Sequence, residues 1–173
     1  MRIAVVGNSG GGKSVLARRL ASELQLPCVE VDYLLWLPGW TLAPQTSFDQ
    51  QHTRAIAGDR WVVEGLGDRK SLPARLQRAS HIVLIDMPLW MHFWLAAERH
   101  FAWSTGRLEH PPAGIRDPAP LRALFATIAE VDRDWLPEMR NLVQAEERAG
   151  KRVVRIESYE ALASFSSDLL SVP

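Results

Sequence analysis

The chain predicts an α/β fold in which a mostly parallel sheet is covered on both faces by helices, and three observations carry that prediction. Short apolar stretches at Arg2–Val6, Cys28–Val31, Trp61–Glu64, His81–Asp86 and Arg152–Ile156 alternate with segments whose apolar residues recur at helical spacing. The first stretch runs into Gly7-Asn8-Ser9-Gly10-Gly11-Gly12-Lys13-Ser14, which matches G-x-x-x-x-G-K-[ST] at every specified position and opens a helix. At 173 residues, with no repeat, linker or low-complexity tract, residues 1–173 fit one domain. Strand, glycine-rich loop and helix in that order are the opening of a three-layer P-loop NTPase fold.

Each element follows from local chemistry. Leu16, Leu20 and Leu24 repeat with helical spacing after Lys13, and Leu26-Pro27 ends that helix. Asp32 then follows the second strand, at the edge of an open α/β sheet where ligands bind. Tyr33 to Trp40 holds a Pro-Gly bend and two tryptophans, so regular structure is not expected throughout. Ser47-Phe48-Asp49-Gln50 has capping-box spacing for a helix to about Ala57, with Gly58 as its stop. Gly65 to Arg69 is a loop after the third strand, and a short helix covers about Leu72 to Arg78. His81–Asp86 is almost wholly apolar, as a strand buried on both faces requires, and Pro88 begins a helix to about Phe101. Residues from about 102 to 120 are rich in Gly, Pro, Arg and His and read as a lid. Leu121 to Ala149 is helical, with a break near Pro137, and Ser158 caps a last helix to Leu170.

The loop's backbone N–H groups, turned inward, form a cradle for phosphate. Gly7, Asn8, Ser9, Gly10, Gly11, Gly12, Lys13, Ser14 and Val15 are the candidate nucleotide-binding residues, with Lys13 for the phosphates and Ser14 for magnesium. Twenty basic and twenty acidic residues balance, which removes the broad positive field of a nucleic-acid binder and argues against direct DNA binding. No apolar run has membrane-spanning length and the N-terminus lacks a signal-peptide pattern, so a cytoplasmic protein is expected. Cys28 is the single cysteine and reads as a small buried hydrophobe. His52, His81, His92, His100 and His110 show no zinc-site spacing.

A phosphate loop alone fits kinases, GTPases and motor ATPases. The guanine-reading strings Asn-Lys-x-Asp and Thr-Lys-x-Asp do not occur. Carboxylates after several strands and an arginine-bearing loop fit a compact phosphotransferase. The phosphate loop, the element Asp32-Tyr33-Leu34-Leu35-Trp36-Leu37-Pro38-Gly39-Trp40, the strand end Trp61-Val62-Val63-Glu64-Gly65 and Ile85-Asp86-Met87-Pro88 together resemble the adenylate kinase-related proteins labelled DNA topology modulation proteins. That resemblance covers nearly the whole length. It implies a five-stranded parallel sheet in order 2-3-1-4-5, ATP as donor and a small acceptor. The chain departs from the family's Asp-Gly-Asn after the third strand, where it has Glu64-Gly65-Leu66, and its fourth helix carries fewer arginines.

On this reading Glu64 supports the metal with Ser14, and Asp32 addresses the acceptor hydroxyl, its alternative being a turn or helix cap. Arg69 and Arg75 grip an acceptor anion, the alternative being that Arg75 and Arg78 face solvent on a short helix. Arg99 and Arg107, with Arg116, are candidates to stabilise the transition state or are solvated lid charges. Trp36 and Trp40 border the acceptor segment, about 32–60, whereas Trp90 and Trp94 are assigned to the core. Asp86, at the end of the fourth strand, is a weaker candidate whose alternative is a cap of the following helix. The expectation is ATP- and magnesium-dependent phosphotransfer to a nucleotide, nucleoside or other small acceptor. The rival is a non-catalytic, nucleotide-switched regulator or slow ATPase acting with DNA or a protein partner.

Overall fold

A computed structural model describes residues 1–109, 115 and 117–170. The chain runs β1 (Arg2–Gly7), α1 (Lys13–Leu24), β2 (Cys28–Glu30), α2 (Asp32–Leu35), β3 (Trp36–Leu37), β4 (Thr41–Leu42), α3 (Gln45–Ala57), β5 (Trp61–Glu64), α4 (Ser71–Arg78) and β6 (His81–Ile85). It continues through α5 (Leu89–Ser104), α6 (Leu121–Glu130), a π-helical turn (Val131–Trp135), α7 (Leu136–Arg148), β7 (Arg152–Ile156), α8 (Tyr159–Ser164) and a 3₁₀ turn (Ser167–Leu170).

Five of the strands form one parallel sheet in the order β2-β5-β1-β6-β7. Counted among the sheet's own strands this is the order 2-3-1-4-5; the numbering differs because the short antiparallel pair β3–β4 intervenes. The stretch from Tyr33 to Trp40 is, as expected, not regular throughout: short helix and strand pieces lead into a turn at residues 38–40. Four residues coil as α2, and the Pro38-Gly39 bend then folds Trp36 and Leu37 back onto Leu42 and Thr41. Side chains of a strand alternate between faces, and β1 shows the result. Ala4 and Val6 pack with Phe48, Leu72, Leu76 and Met139 on one side, and Ile3 and Val5 with Leu16, Leu20 and Phe165 on the other.

Several boundaries move. The helix expected at Ser47 starts at Gln45, because Pro44 caps it and the Ser47 N–H already donates to the Pro44 carbonyl, so the capping box is not formed. α5 outlasts its expected end at Phe101 and the expected start of the lid. It closes at Gly106, φ 70°, where the Gly106 and Arg107 N–H groups donate to the carbonyls of Trp103 and Ala102. The break expected near Pro137 is the π turn just before it, consistent with a proline that has no N–H to continue the ladder. Ser158 does cap α8, its Oγ accepting from the Ala161 N–H at 3.1 Å, but the chain leaves the helix at Phe165 and ends in the 3₁₀ turn. Trp90 and Trp94, expected in the core, are 63% and 62% exposed. α5 is apolar on nearly every face, so spacing alone selects no inner side; the face turned inward is the one with His92 and Ala96. Cys28 is only partly buried, and burial with the nearby Glu30 pushes its thiol up to about 11. Among the described residues no helix is long and apolar enough to cross a membrane.

Candidate active site

The parallel sheet brings the C-terminal ends of β1, β5 and β2 to one edge, with Val5 beside Glu64 and Glu64 beside Glu30. The phosphate loop leaves β1 at that edge. Gly10 and Gly12 stand at φ 76° and 78°, where side chains are strained. A Cβ on Gly10 would lie 2.5 Å from the His92 carbonyl oxygen, and one on Gly12 2.8 Å from Leu162 Cδ2. The loop therefore needs glycine at both positions for its turn and at Gly10 also for its close packing on the α5 backbone.

Lys13 is nearly buried, and its Nζ donates to the Asn8 carbonyl at 2.8 Å. Burial lowers its pKa, while Glu64 and then Asp32 work the other way. The Ser14 hydroxyl donates to Glu64 Oε1 at 2.9 Å. Glu64 is 1% exposed, and burial raises its pKa to about 7 against the pull of Lys13 and the Ser14 bond. The side chain of Asn8 spans outward: its Nδ2 donates to Ile128 O at 2.9 Å and its Oδ1 accepts from Ser9 N–H at 2.7 Å.

Asp32 is the first residue of α2 rather than a loop residue after a strand, and it is exposed. It makes no cap bond there, α2 being led by Val31. Its charge acts on Lys13, Glu64 and Arg75, and a Cβ on Gly65 would lie 3.6 Å from Asp32 Oδ1. Arg75 belongs to the same cluster. It is 0% exposed, its Nη2 donates to Leu66 O at 3.1 Å, and its Nε and Nη1 are buried without partners. Burial lowers its pKa to about 10 although Glu64, Asp32 and Asp68 favour the charge. The sequence allows Arg75 either a solvent face or a substrate grip; its place on the buried side of α4 excludes solvent.

Other candidates stand apart. Arg69 is exposed, donating from Nη2 to Asp134 O at 2.8 Å with its guanidinium 5.0 Å above the Trp135 ring. Arg99 is exposed and close enough to act on the Lys13 charge. Arg107 is exposed, its guanidinium 5.3 Å from the Phe101 ring centre. Arg116 and His110 lie outside the described residues. Val15, next to Ser14, is 68% exposed beside the loop. Trp36 and Trp40 meet edge to face at 5.7 Å, and Trp40 reaches Trp103 at 6.1 Å and donates from Nε1 to Asp117 O at 3.2 Å. Trp40 thus links the β3–β4 turn to the end of α5 and to Asp117. Asp86 is not a helix cap: Arg140 holds its carboxylate at 2.7 Å and Pro88 caps α5.

Sequence reasoning missed two buried histidines. His92 sits under the loop with Nδ1 3.0 Å from Ser9 O, and His52 stacks on Phe48 at 5.8 Å with its pKa lowered to about 4, first by burial and then by Arg75. Only contacts distant in sequence distinguish either from a surface histidine.

Among the described residues no group of three or more His, Cys, Asp or Glu gathers as a metal site. The donor set that is present, the Ser14 hydroxyl bonded to a buried Glu64, fits magnesium, which takes one or two protein ligands and otherwise phosphates and water. The glycine cradle with the buried Lys13 fits a nucleotide's phosphates.

No protein-family model matches the chain, and no curated protein matches it. Among solved structures it is similar to a shikimate kinase from Acinetobacter baumannii in complex with shikimate, at 13% identity over 92% of this chain and 86% of that one, TM-score 0.56. It also aligns with a shikimate kinase from Aquifex aeolicus (15% identity, 98% and 90% covered, TM-score 0.45) and a gluconokinase from Sinorhizobium meliloti (17%, 86% and 95%, TM-score 0.44). Together with the phosphate loop on β1, the Acinetobacter likeness shows that the chain has a P-loop kinase-like fold.

Proposed function

We propose that the chain is an ATP- and magnesium-dependent kinase that phosphorylates a hydroxyl of a small acceptor. The observation that carries this reading is the cluster at the sheet's edge, where Lys13, Ser14 and Glu64 of the phosphate site lie within electrostatic reach of Asp32 and Arg75. ATP with magnesium, when bound, supplies the phosphoryl group and neutralises part of its charge. Gly7 to Val15 hold the nucleotide, and the Lys13 ammonium exchanges the Asn8 carbonyl for phosphate oxygen. Ser14 and Glu64 hold the metal. Asp32, exposed at the site's mouth, accepts the proton of the acceptor hydroxyl. Arg75 offers two free N–H directions to an anionic group of the acceptor, with Arg69 at the rim. Arg99 and Arg107 add positive charge from α5 and the lid, and Trp36 and Trp40 wall the acceptor segment. On this reading residues 1–173 form one domain, with an acceptor segment at about 32–60 and a lid at about 102–120.

Nucleoside monophosphates and nucleosides are the first acceptors to try. The hydroxy acids and sugar acids suggested by the names of the structural neighbours come next. The test is ADP release from Mg-ATP, alone and with each acceptor, against a Lys13→Ala background. Acceptor-dependent release establishes the kinase. Nucleotide binding with no acceptor raising turnover above that background refutes it in favour of a nucleotide-switched regulator or slow ATPase.

A further inference from the structure

His92 is wholly buried on α5, and neither the phosphate-transfer chemistry nor any core requirement for an imidazole accounts for it. Its Nδ1 lies 3.0 Å from the carbonyl oxygen of Ser9. A carbonyl only accepts, so Nδ1 carries the proton. Nε2 is buried with no side-chain or backbone partner within hydrogen-bond geometry; burial, reinforced by Lys13, lowers the ring's pKa, while the Ser9 carbonyl, then Asp132 and the Met87 backbone, oppose that. The ring is therefore a neutral donor fixed in one tautomer.

The bond has a geometric consequence. In a trans peptide the C=O and the following N–H point in opposite directions. Holding Ser9 C=O toward α5 turns the Gly10 N–H away from α5, toward the open side of the loop where phosphate oxygens bind. Gly10, at φ 76°, is a residue at which that peptide flips with little steric resistance. The ring also fills the space beneath Gly11, where a Cβ would come within 2.9 Å of His92 Cε1. The Asn8 bond to Ile128 of α6, a helix that packs on α5, steadies the preceding residue.

We infer that His92 is a positioning residue for nucleotide binding, its Nδ1–H locking the Ser9–Gly10 peptide so that the Gly10 N–H faces the phosphates. This rests on the phosphate loop being a nucleotide site, and it does not require turnover.

The test measures the Kd of full-length protein for Mg-ADP, using a fluorescent ADP analogue, in wild type, His92→Leu and His92→Asn. Asparagine returns an N–H near the Nδ1 position, and leucine fills space without a donor. Loss of one hydrogen bond predicts about tenfold weaker binding for His92→Leu, with His92→Asn within about threefold of wild type. In ¹⁵N spectra of the wild type, the His92 ring shows a protonated Nδ1 and a bare Nε2 at neutral pH. If His92→Leu does not fold, His92→Gln, whose donor lies at the Nε2 position, takes its place with the same expected loss. Equal binding by wild type and His92→Leu, equal weakening by leucine and asparagine, or a bare Nδ1 overturns the inference. Tight Mg-ADP binding without acceptor-dependent turnover sinks the kinase reading and leaves the inference standing. A wild type that binds no Mg-ADP overturns both.

Discussion

Around the phosphate loop, Lys13, Asn8, Ser14 and Glu64 are bonded to fixed neighbours, and all but Ser14 are nearly closed to solvent. Across the same edge, Asp32 and Arg99 are exposed, and Arg75 is buried with two nitrogens unpartnered. The supports differ in the same sense. The proposed donor side hangs on β1, β5 and the long helix α1, whereas on the proposed acceptor side Asp32 sits on the four-residue α2, next to the two-residue strands β3 and β4, with Arg75 on α4 and Arg99 on α5. One half is organised before any ligand arrives; the other has polar groups that a ligand would satisfy. That is the division expected when electrostatic preorganisation serves the phosphates and the acceptor completes its own site.

Lys13→Ala attacks the organised half and should lower acceptor-dependent turnover by about 10²- to 10³-fold, measured as ADP release. Glu64 tests how dry that half is. The fold raises its pKa from 4.5 to about 7, so the folded state binds the proton more tightly than the unfolded one. In nucleotide-free protein this stabilisation is present below about pH 4.5 and is lost as pH rises to about 7, a loss of about 3 kcal/mol. Glu64→Gln should flatten that slope in denaturant titrations run across the range; an unchanged slope assigns it to other groups.

The open half should respond in kinetics and less in stability. Asp32→Asn should reduce turnover by about 10²-fold while leaving the Kd for Mg-ADP unchanged. Arg75→Leu should raise the acceptor KM by about tenfold and also raise the melting temperature, because it removes a buried charge with unmet hydrogen bonds. A lower melting temperature would make Arg75 a structural support. Arg69→Ala, which loses an exposed contact with the π turn, should change KM by no more than about threefold, setting the baseline for the rim.

The parallel sheet, its five strands and the phosphate loop were legible in the chain because each is a local signal: a buried strand must be continuously apolar, and the loop must carry glycine and lysine at set spacings. Lys13 and Ser14 were legible from the loop motif that opens α1, and Glu64 as the end of β5, which the parallel sheet sets beside β1. Only the tertiary structure decided which side of α5, apolar on nearly every face, turns inward, placing His92 and Ala96 beneath the loop and leaving Trp90 and Trp94 in solvent. It also separated Arg75 from Arg69, which the chain presents as equivalent cations six residues apart. α4 packs on the sheet with Arg75 inside, while Arg69 is exposed and bonded to the π turn. Local composition specifies what an element is; which of its faces is buried depends on neighbours distant in the chain.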